Sequence, residues 1–285
     1  MKLAVLILYF TSIVMVASND NGVIGARSSA MAKSSVCLSD VWSTRNNQGG
    51  LGFVSSFEAG AFFENRFLMK ELTLSGFAVT APIKNGTFGF NYSSLGYKLY
   101  KESQLSLSYG LKLGETISAG LSLDYLNTRI GDIYGQFSAF TGSFGFMVKL
   151  QPQLVIATHI YNPFRTPMQS YNHEKMPTIF KIGAQYILSD RLFLIGEAEK
   201  ISGKMVNLKS GIEYNPAQLL FIRVGVGSYP TQMTFGLGVV YNGLKIDVSS
   251  AYQSVLGFSN QIGLSYCFLK THEKSINKSK TNSSY

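Results

Sequence analysis

The sequence predicts an all-β fold, a transmembrane antiparallel up-and-down β-barrel of about 14 strands with a short N-terminal segment in its lumen. Hydrophobic residues make up 46% of the chain and charged residues only 14%, whereas a typical soluble domain carries about 25% charged residues. Beyond the N-terminus, no stretch reaches the roughly 20 apolar residues that a spanning helix needs. From about residue 50 onward, apolar and polar residues alternate instead. Such a chain hides its apolar groups on one face of each strand.

The N-terminus has the pattern of an export signal. Lys2 supplies a positive charge, an apolar run extends from Leu3 to Val16, and the small residues Ala17 and Ser18 follow. This pattern predicts a signal peptide over residues 1–18 that is cleaved on export. The alternative is a retained anchor or a buried helix. Export implies an outer-membrane location for a barrel and an oxidising compartment in which disulfides are permitted.

Alternation with a period of two marks the strands. In one segment Leu105, Leu107 and Tyr109 form an apolar face, while Ser106 and Ser108 form a polar one. Many segments run for about 9–12 residues, which suits a tilted strand crossing a bilayer. The predicted strands lie at 52–60, 67–80, 85–99, 103–113, 115–128, 136–149, 153–161, 177–188, 191–200, 205–215, 218–228, 231–242, 244–253 and 258–269.

Connection lengths orient the predicted barrel. Tight turns alternate with connections that are mostly longer, and residues 162–177 form the longest. Outer-membrane barrels have short periplasmic turns and longer extracellular loops. With an even number of strands, both ends of the barrel sequence are expected on the periplasmic side.

Two stretches before the first strand carry a family resemblance. Residues 25–32 read GARSSAMA, and residues 39–51 contain an Asp, then an Asn and a Gly-Leu pair. This resembles the N-terminus of the PorV/PorQ-like proteins, a Bacteroidetes branch of the FadL-like outer-membrane barrels. Gln48 and Gly49 stand where the family has Pro-Ala. The residues that match the motif are Asp40, Asn47, Gly50 and Leu51.

The resemblance implies that residues 19–50 plug the lumen, and it implies two functions. The alternating pattern predicts the barrel over residues 51–269, and residues 270–285, rich in Ser, Asn and Lys, are expected to be a disordered basic tail. Relatives take part in type IX secretion and surface attachment, which predicts an outer-membrane protein that contacts secreted or surface proteins and other secretion components. The alternative is a FadL-like channel for small hydrophobic compounds, and a third hypothesis is a structural barrel without transport.

Six charged residues are predicted to face the lumen on neighbouring late strands. Opposite charges there can pair across the wall. One interpretation is a polar contact surface for the plug or a permeant, and the other is simple mutual neutralisation of charges in a narrow lumen. The six are Glu197, Lys209, Glu213, Arg223, Lys245 and Asp247.

Cys37 and Cys267 are the two cysteines. Cys37 lies in the predicted plug, and Cys267 faces inward near the periplasmic end of the last strand. A disulfide that pins the plug is one hypothesis, and two small unpaired side chains are the other.

Enzyme chemistry has little support in the sequence. His159, His173 and His272 are the only histidines, and no two share a metal-ligand spacing on one element. We therefore expect no catalytic site, metal or cofactor; a His-Ser pair at His159 near the membrane edge is the alternative. The net charge of +9 is scattered along the chain or concentrated in the tail, so no nucleic-acid partner is predicted.

The longest loop combines apolar and charged residues. Exposed apolar groups on an outer loop favour a lid or a partner contact, and the alternative is a loop folded over its own barrel mouth. The residues concerned are Phe164, Arg165, Met168, Tyr171 and Met176.

Overall fold

The computed structural model describes residues 22–131, 135–167 and 175–268. The predicted signal peptide and the predicted tail, with His173, His272, Met168 and Tyr171, lie outside the described residues. Two short helices, α1 (Ala26–Ser29) and α2 (Ser43–Asn46), precede a 3-10 helix at Gln48–Phe53. No helix in the described part of the chain is both long and apolar enough to span a membrane.

Fourteen antiparallel strands follow and close into one barrel, in which β1 pairs with both β2 and β14. The predicted fold class and strand number are therefore confirmed. The strands are β1 (Phe57–Asn65), β2 (Thr73–Ile83), β3 (Gly86–Tyr97), β4 (Tyr100–Lys112), β5 (Ile117–Ile130), β6 (Gln136–Gln151), β7 (Leu154–Tyr161), β8 (Ile179–Ser189), β9 (Leu192–Ile201), β10 (Val206–Ala217), β11 (Leu220–Ser228), β12 (Thr231–Tyr241), β13 (Leu244–Gln253) and β14 (Gly257–Phe268).

The first two predicted strands were misplaced. Residues 52–56 do not belong to β1, because Asn47 caps the 3-10 helix Gln48–Phe53 by accepting a hydrogen bond from the backbone N–H of Gly49. Residues 66–72 form two short 3-10 turns, not the start of β2. Phe67 has a positive φ of 55° there, which no extended strand accommodates.

Side chains alternate between lumen and membrane along every strand. On β4, Ser106 and Ser108 are buried inside, while Leu107 on the outer face is 55% exposed. Large apolar side chains continue around the outside of the barrel, among them Leu121, Phe144 and Phe235. An apolar belt around a closed barrel is stable only against lipid, so the chain is a membrane-spanning barrel.

The two ends of the barrel differ in their connections. At the end where β1 begins, each connection has two to four residues, for example 84–85 and 242–243. At the opposite end the connection between β7 and β8 spans residues 162–178. Five of the seven connections at that end are longer than two residues, so the prediction of mostly longer loops there is confirmed, and residues 98–99 and 229–230 are the two exceptions. The short-turn end is the periplasmic one by the usual rule.

Candidate functional site

The lumen is filled by residues 22–54, called the plug below. Ile24, Met31, Val36 and Leu51 have no exposed surface, and Trp42 is 3% exposed. A segment with two single-turn α-helices and one short 3-10 helix has no core of its own, so the barrel wall provides the burial. The wall residues that join apolar clusters with the plug include Phe62, Leu74, Ala78, Met147, Val155 and Ile195.

Inward glycines on the wall make room for the plug. A Cβ added to Gly211 would lie 2.4 Å from the Cβ of Met31, and one added to Gly120 would lie 2.3 Å from the carbonyl oxygen of Gln48. Real Cβ atoms do not approach other atoms so closely, so these strands need glycine where the plug touches them. The Gly-rich polar faces in the sequence therefore reflect a crowded lumen.

The residues of the N-terminal motif organise the plug itself. Asp40 accepts a hydrogen bond from the backbone N–H of Trp42 (3.0 Å). Asn47 donates to the carbonyl of Val36 (2.5 Å). A Cβ on Gly50 would lie 2.6 Å from the carbonyl oxygen of Leu38. Leu51 is completely buried. The motif thus specifies the conformation of the plug.

A charge clamp ties helix α1 to the wall. The guanidinium of Arg27 donates two hydrogen bonds to Glu213 on β10 (2.8 and 2.9 Å). It also forms an ion pair with Asp40 at 3.4 Å. Burial alone would lower the pKa of Arg27, but the Glu213 and Asp40 carboxylates raise it by more, so the guanidinium stays charged. These groups line a periplasmic-side cavity of about 130 Å³.

The clamp continues around the wall through Arg223. Its guanidinium lies 2.6 Å from Glu213 and 2.6 Å from Asp247 on β13. The pair between Arg223 and Asp247 passes over β12, which lies between their strands, and Gly238 of β12 leaves room for it. A Cβ added to Gly238 would lie 2.4 Å from the Asp247 carboxylate and 2.6 Å from the Arg223 guanidinium. Each charged group in this network therefore has an oppositely charged neighbour, which buried ions require.

A second network holds the middle of the plug. Glu197 on β9 accepts hydrogen bonds from the backbone N–H groups of Ser35 (2.7 Å) and Val36 (2.9 Å). Its other oxygen pairs with Lys209 at 3.0 Å. Lys209 also pairs with Glu199, which lies 3.8 Å from Lys181. One carboxylate thus satisfies two plug donors and a wall cation at once.

The structure places five of the six predicted lumen charges inside the barrel as buried side chains, and Lys245 as a half-buried one. Five of them form two separate networks, not one ladder: Glu197 pairs with Lys209, and Arg223 pairs with Glu213 and Asp247. Sequence reasoning missed Lys181 and Glu199, although the alternation along β8 and β9 points both side chains into the lumen. It also missed Arg27, for which the sequence carries no positional signal.

The hypothesised disulfide is absent. Cys37 and Cys267 are both free thiols. Cys37 lies against the carbonyl of Val155 on β7, whereas Cys267 pairs with Glu58 across the β14–β1 seam. Strands β7 and β14 lie on opposite sides of the barrel, so the lumen separates the two sulfur atoms.

His159 is buried among wall residues. It is 3% exposed and stands in register with Gly145 and Lys181. Neither ring nitrogen has a hydrogen-bond partner among the described residues. In the same part of the chain, no group of three or more His, Cys, Asp or Glu side chains could hold a metal ion.

An apolar cluster lies at the long-loop mouth of the barrel. Leu126, Tyr161 and Ile179 on the wall pack with Met176 from the loop, and all four are at most 5% exposed. Asn162 anchors the loop: its side chain donates to the carbonyl of Met176 (2.9 Å). At this end of the loop, Met176 therefore folds inward over the mouth.

No family model matches the chain, and no curated protein matches it by sequence. Solved structures do match. The CymD monoaromatic hydrocarbon channel has a TM-score of 0.65 at 12% identity, over 90% of this chain and 100% of that one. The Pseudomonas putida toluene transporter TodX has a TM-score of 0.65 at 12% identity, over 86% and 98%. A Pseudomonas aeruginosa FadL homologue has a TM-score of 0.61 at 11% identity, over 86% and 98%.

The chain has the FadL-type barrel fold. At these identities the likeness concerns the fold, and the PorV/PorQ branch remains a prediction from the N-terminal motif. The FadL-type fold and the apolar belt together place the chain among outer-membrane β-barrels, as the sequence predicts.

Proposed function

We propose that this protein is an outer-membrane channel for small hydrophobic compounds, held closed by its plug. The observation that carries the proposal is the FadL-type fold, which it shares over almost its whole length with a hydrocarbon channel and a toluene transporter. The alternative hypothesis from the sequence is thereby preferred to the secretion hypothesis.

The outer mouth offers a place for such compounds to enter. Leu126, Tyr161, Met176 and Ile179 form an apolar cluster there, and each is at most 5% exposed, so a compound reaches these side chains only when the loop segment that carries Met176 moves aside. A small hydrocarbon gains from burial against these side chains as it leaves water. We assign the cluster the role of capturing substrate before it reaches the plug.

Passage past the plug requires the plug to move. Its apolar side chains are fully buried, and glycines of the wall touch it on several strands. It is attached to the wall by the apolar clusters and also by polar contacts to Glu213, Glu197 and Thr234, whose hydroxyl donates to the carbonyl of Ala30 (2.8 Å). When the plug moves, water can replace the polar contacts, and the hydrogen bonds between the strands keep the barrel intact.

The proposal is tested by uptake of radiolabelled toluene at low concentration into cells that express the full-length protein. Uptake should exceed that of cells carrying the empty vector and should saturate. Substitution of Met176 by Gln should lower uptake at limiting toluene, since a polar group would enter the apolar cluster. Uptake equal to the empty vector, with the barrel folded in the outer membrane, would rule the proposal out.

A second candidate is a component of protein secretion or surface attachment. The observation that favours it is Phe164, which is 83% exposed on the long loop beside the exposed Arg165. Binding residues are disproportionately found on loops that a rigid scaffold positions, so this exposed aromatic beside a cation is a candidate partner contact. Replacing Phe164 and Arg165 by Ser should then change the profile of secreted or surface proteins without changing toluene uptake. An unchanged profile would exclude this candidate.

A further inference from the structure

A groove of about 410 Å³ lies on the outer face of the barrel wall, across strands β12, β13, β14 and β1. Ser250 of β13 stands in register between Phe235 of β12 and Asn260 of β14, and its small side chain leaves the space. The groove is part of the apolar belt that contacts lipid. Its apolar side chains are Phe63, Phe235, Leu237, Val248 and Ile262, all exposed.

One end of the groove is polar. Asn65, Asn260 and Ser250 stand side by side in the strand register on β1, β14 and β13. On the same three strands, the apolar lining residues stand two positions further toward the periplasmic end. The groove therefore runs from a polar end on the long-loop side to an apolar end nearer the middle of the membrane.

The polar end lies inside the apolar belt. Tyr252 and Phe258 are exposed one step closer to the long-loop rim, with their ring centroids 4.9 Å apart. The connection between β13 and β14 carries Val255 and Leu256, which are 89% and 54% exposed. Asn260 thus faces lipid with apolar side chains both above and below it.

The exposed amide of Asn260 has no hydrogen-bond partner among the described residues, and neither has the hydroxyl of Ser250. Lipid tails offer none, and an unpaired polar group that faces them is costly. Asn127 on the outer face of β5 shows the contrast, because its amide donates to the hydroxyl of Ser138 at 2.9 Å. Asn260 therefore calls for a hydrogen-bonding partner from outside the chain.

The continuity of the groove with the lipid-facing belt and the order of its two ends identify this partner. A lipid of the outer leaflet points its chains toward the bilayer centre and holds the carbonyl groups of its acyl linkages at the outer ends of these chains. The groove has the same order, with Asn260 at the outer end and Val248 and Ile262 further in. A pure hydrocarbon would leave Asn260 unpaired, and the convex wall of a second copy would not fill the groove.

We propose that the groove binds one acyl chain of an outer-leaflet lipid, and that the amide of Asn260 donates a hydrogen bond to the carbonyl of the acyl linkage. The chain exchanges contacts with other lipid tails for contacts with the wall, so packing and the hydrogen bond stabilise the complex, not removal from water. The inference rests on the barrel and its orientation and does not depend on what the barrel transports.

The test is native mass spectrometry of the full chain with two matched lipids. One is dipalmitoyl phosphatidylethanolamine, and the other is its dialkyl ether analogue, which has the same headgroup and chain length but no carbonyl groups. The wild type should retain the acyl lipid about threefold more tightly, the usual value of a hydrogen bond in a membrane. Asn260→Leu should retain the two lipids equally. The matched control is Asn127→Leu, which should keep the preference of the wild type.

A second variant tests the groove itself. Ser250→Phe fills the space with a side chain that suits a lipid-facing wall, so the barrel should fold and retain both lipids more weakly than the wild type. The proposal is overturned if the wild type retains the two lipids equally, if Asn127→Leu abolishes the preference as Asn260→Leu does, or if Ser250→Phe binds like the wild type. A wild-type dimer that Asn260→Leu dissociates would assign the groove to a second copy and also overturn it.

Discussion

Arg27 of the plug and Glu213 of β10, 186 residues apart, share two hydrogen bonds of 2.8 and 2.9 Å inside the barrel. The pair joins helix α1 of the plug to a wall strand. Arg223 donates hydrogen bonds to both Glu213 and Asp247 and so continues the network to β13. The plug is therefore held by paired charges, and removing one member should leave another uncompensated.

We expect Arg27→Gln to loosen the plug. The substitution leaves Glu213 with Arg223 alone, and breaking such a pair costs about 2 kcal/mol when one partner is partly accessible. In a planar bilayer the variant should show more frequent current steps than the wild type. The double variant Arg27→Gln, Glu213→Gln returns the network to its wild-type net charge and should open less often than the single one. If the single variant is as quiet as the wild type, the clamp does not hold the plug.

Glycines that touch the plug should not tolerate a methyl group. In Gly120→Ala the new Cβ would lie 2.3 Å from the carbonyl oxygen of Gln48, which is backbone and cannot swing away. We expect a loss of about 1–3 kcal/mol in the free energy of unfolding. Gly196→Ala is the control, since nothing lies within 4 Å of its added Cβ. Urea unfolding in detergent measures both, and equal losses would mean that plug contact is not the cause.

Cys37 should report on whether the plug is seated. Burial, reinforced by the nearby Glu197 carboxylate, raises the pKa of the Cys37 thiol well above its usual value. The thiol is therefore protonated at pH 8, and the reactive thiolate is scarce. In a Cys267→Ser background, N-ethylmaleimide should label Cys37 slowly at pH 8, and faster when the plug is loosened by Arg27→Gln. Rapid labelling of the folded parent protein would contradict this account.

Glu197 should protect two amides of the plug. Its carboxylate accepts hydrogen bonds from the N–H groups of Ser35 and Val36. In Glu197→Ala both donors lose their acceptor, at about 1–3 kcal/mol for each buried group. Hydrogen exchange at these two amides should accelerate at least about tenfold, while amides of β4 keep the wild-type rate. Equal acceleration in β4 would indicate general unfolding and contradict a local role.

Most of the barrel was predictable because each strand repeats one simple pattern. Segments such as residues 244–253 alternate apolar and polar side chains, and the structure ends that strand at the predicted residues. The exceptions have local causes. The stretch Gln48–Phe53 contains three glycines and carries no alternation of its own, so its 3-10 helix depends on the cap at Asn47 and on burial in the lumen.

The site was predictable only in part, for a geometrical reason. Parity along a strand gives the inward direction of Glu213 and Arg223, and consecutive strands of an up-and-down barrel are neighbours. The plug has no such periodicity, so the sequence cannot place Arg27 beside Glu213. The same gap produced the wrong disulfide hypothesis, since inward direction alone does not give the side of the lumen on which Cys37 lies.

The central claim is that hydrophobic compounds pass only when the plug moves, and a reversible pin between plug and wall tests it most directly. The Cβ of Ala26 lies 3.3 Å from the position of an added Cβ on Gly263 of β14, close to the roughly 3.5–4.5 Å of natural disulfides. The double variant Ala26→Cys, Gly263→Cys is made in a Cys37→Ala, Cys267→Ser background. Cells that express it should take up toluene when the two cysteines are reduced and should stop when they are oxidised to a disulfide. In the single variant Ala26→Cys, the oxidant should leave toluene uptake unchanged. Full uptake by the oxidised, demonstrably cross-linked protein would contradict the account.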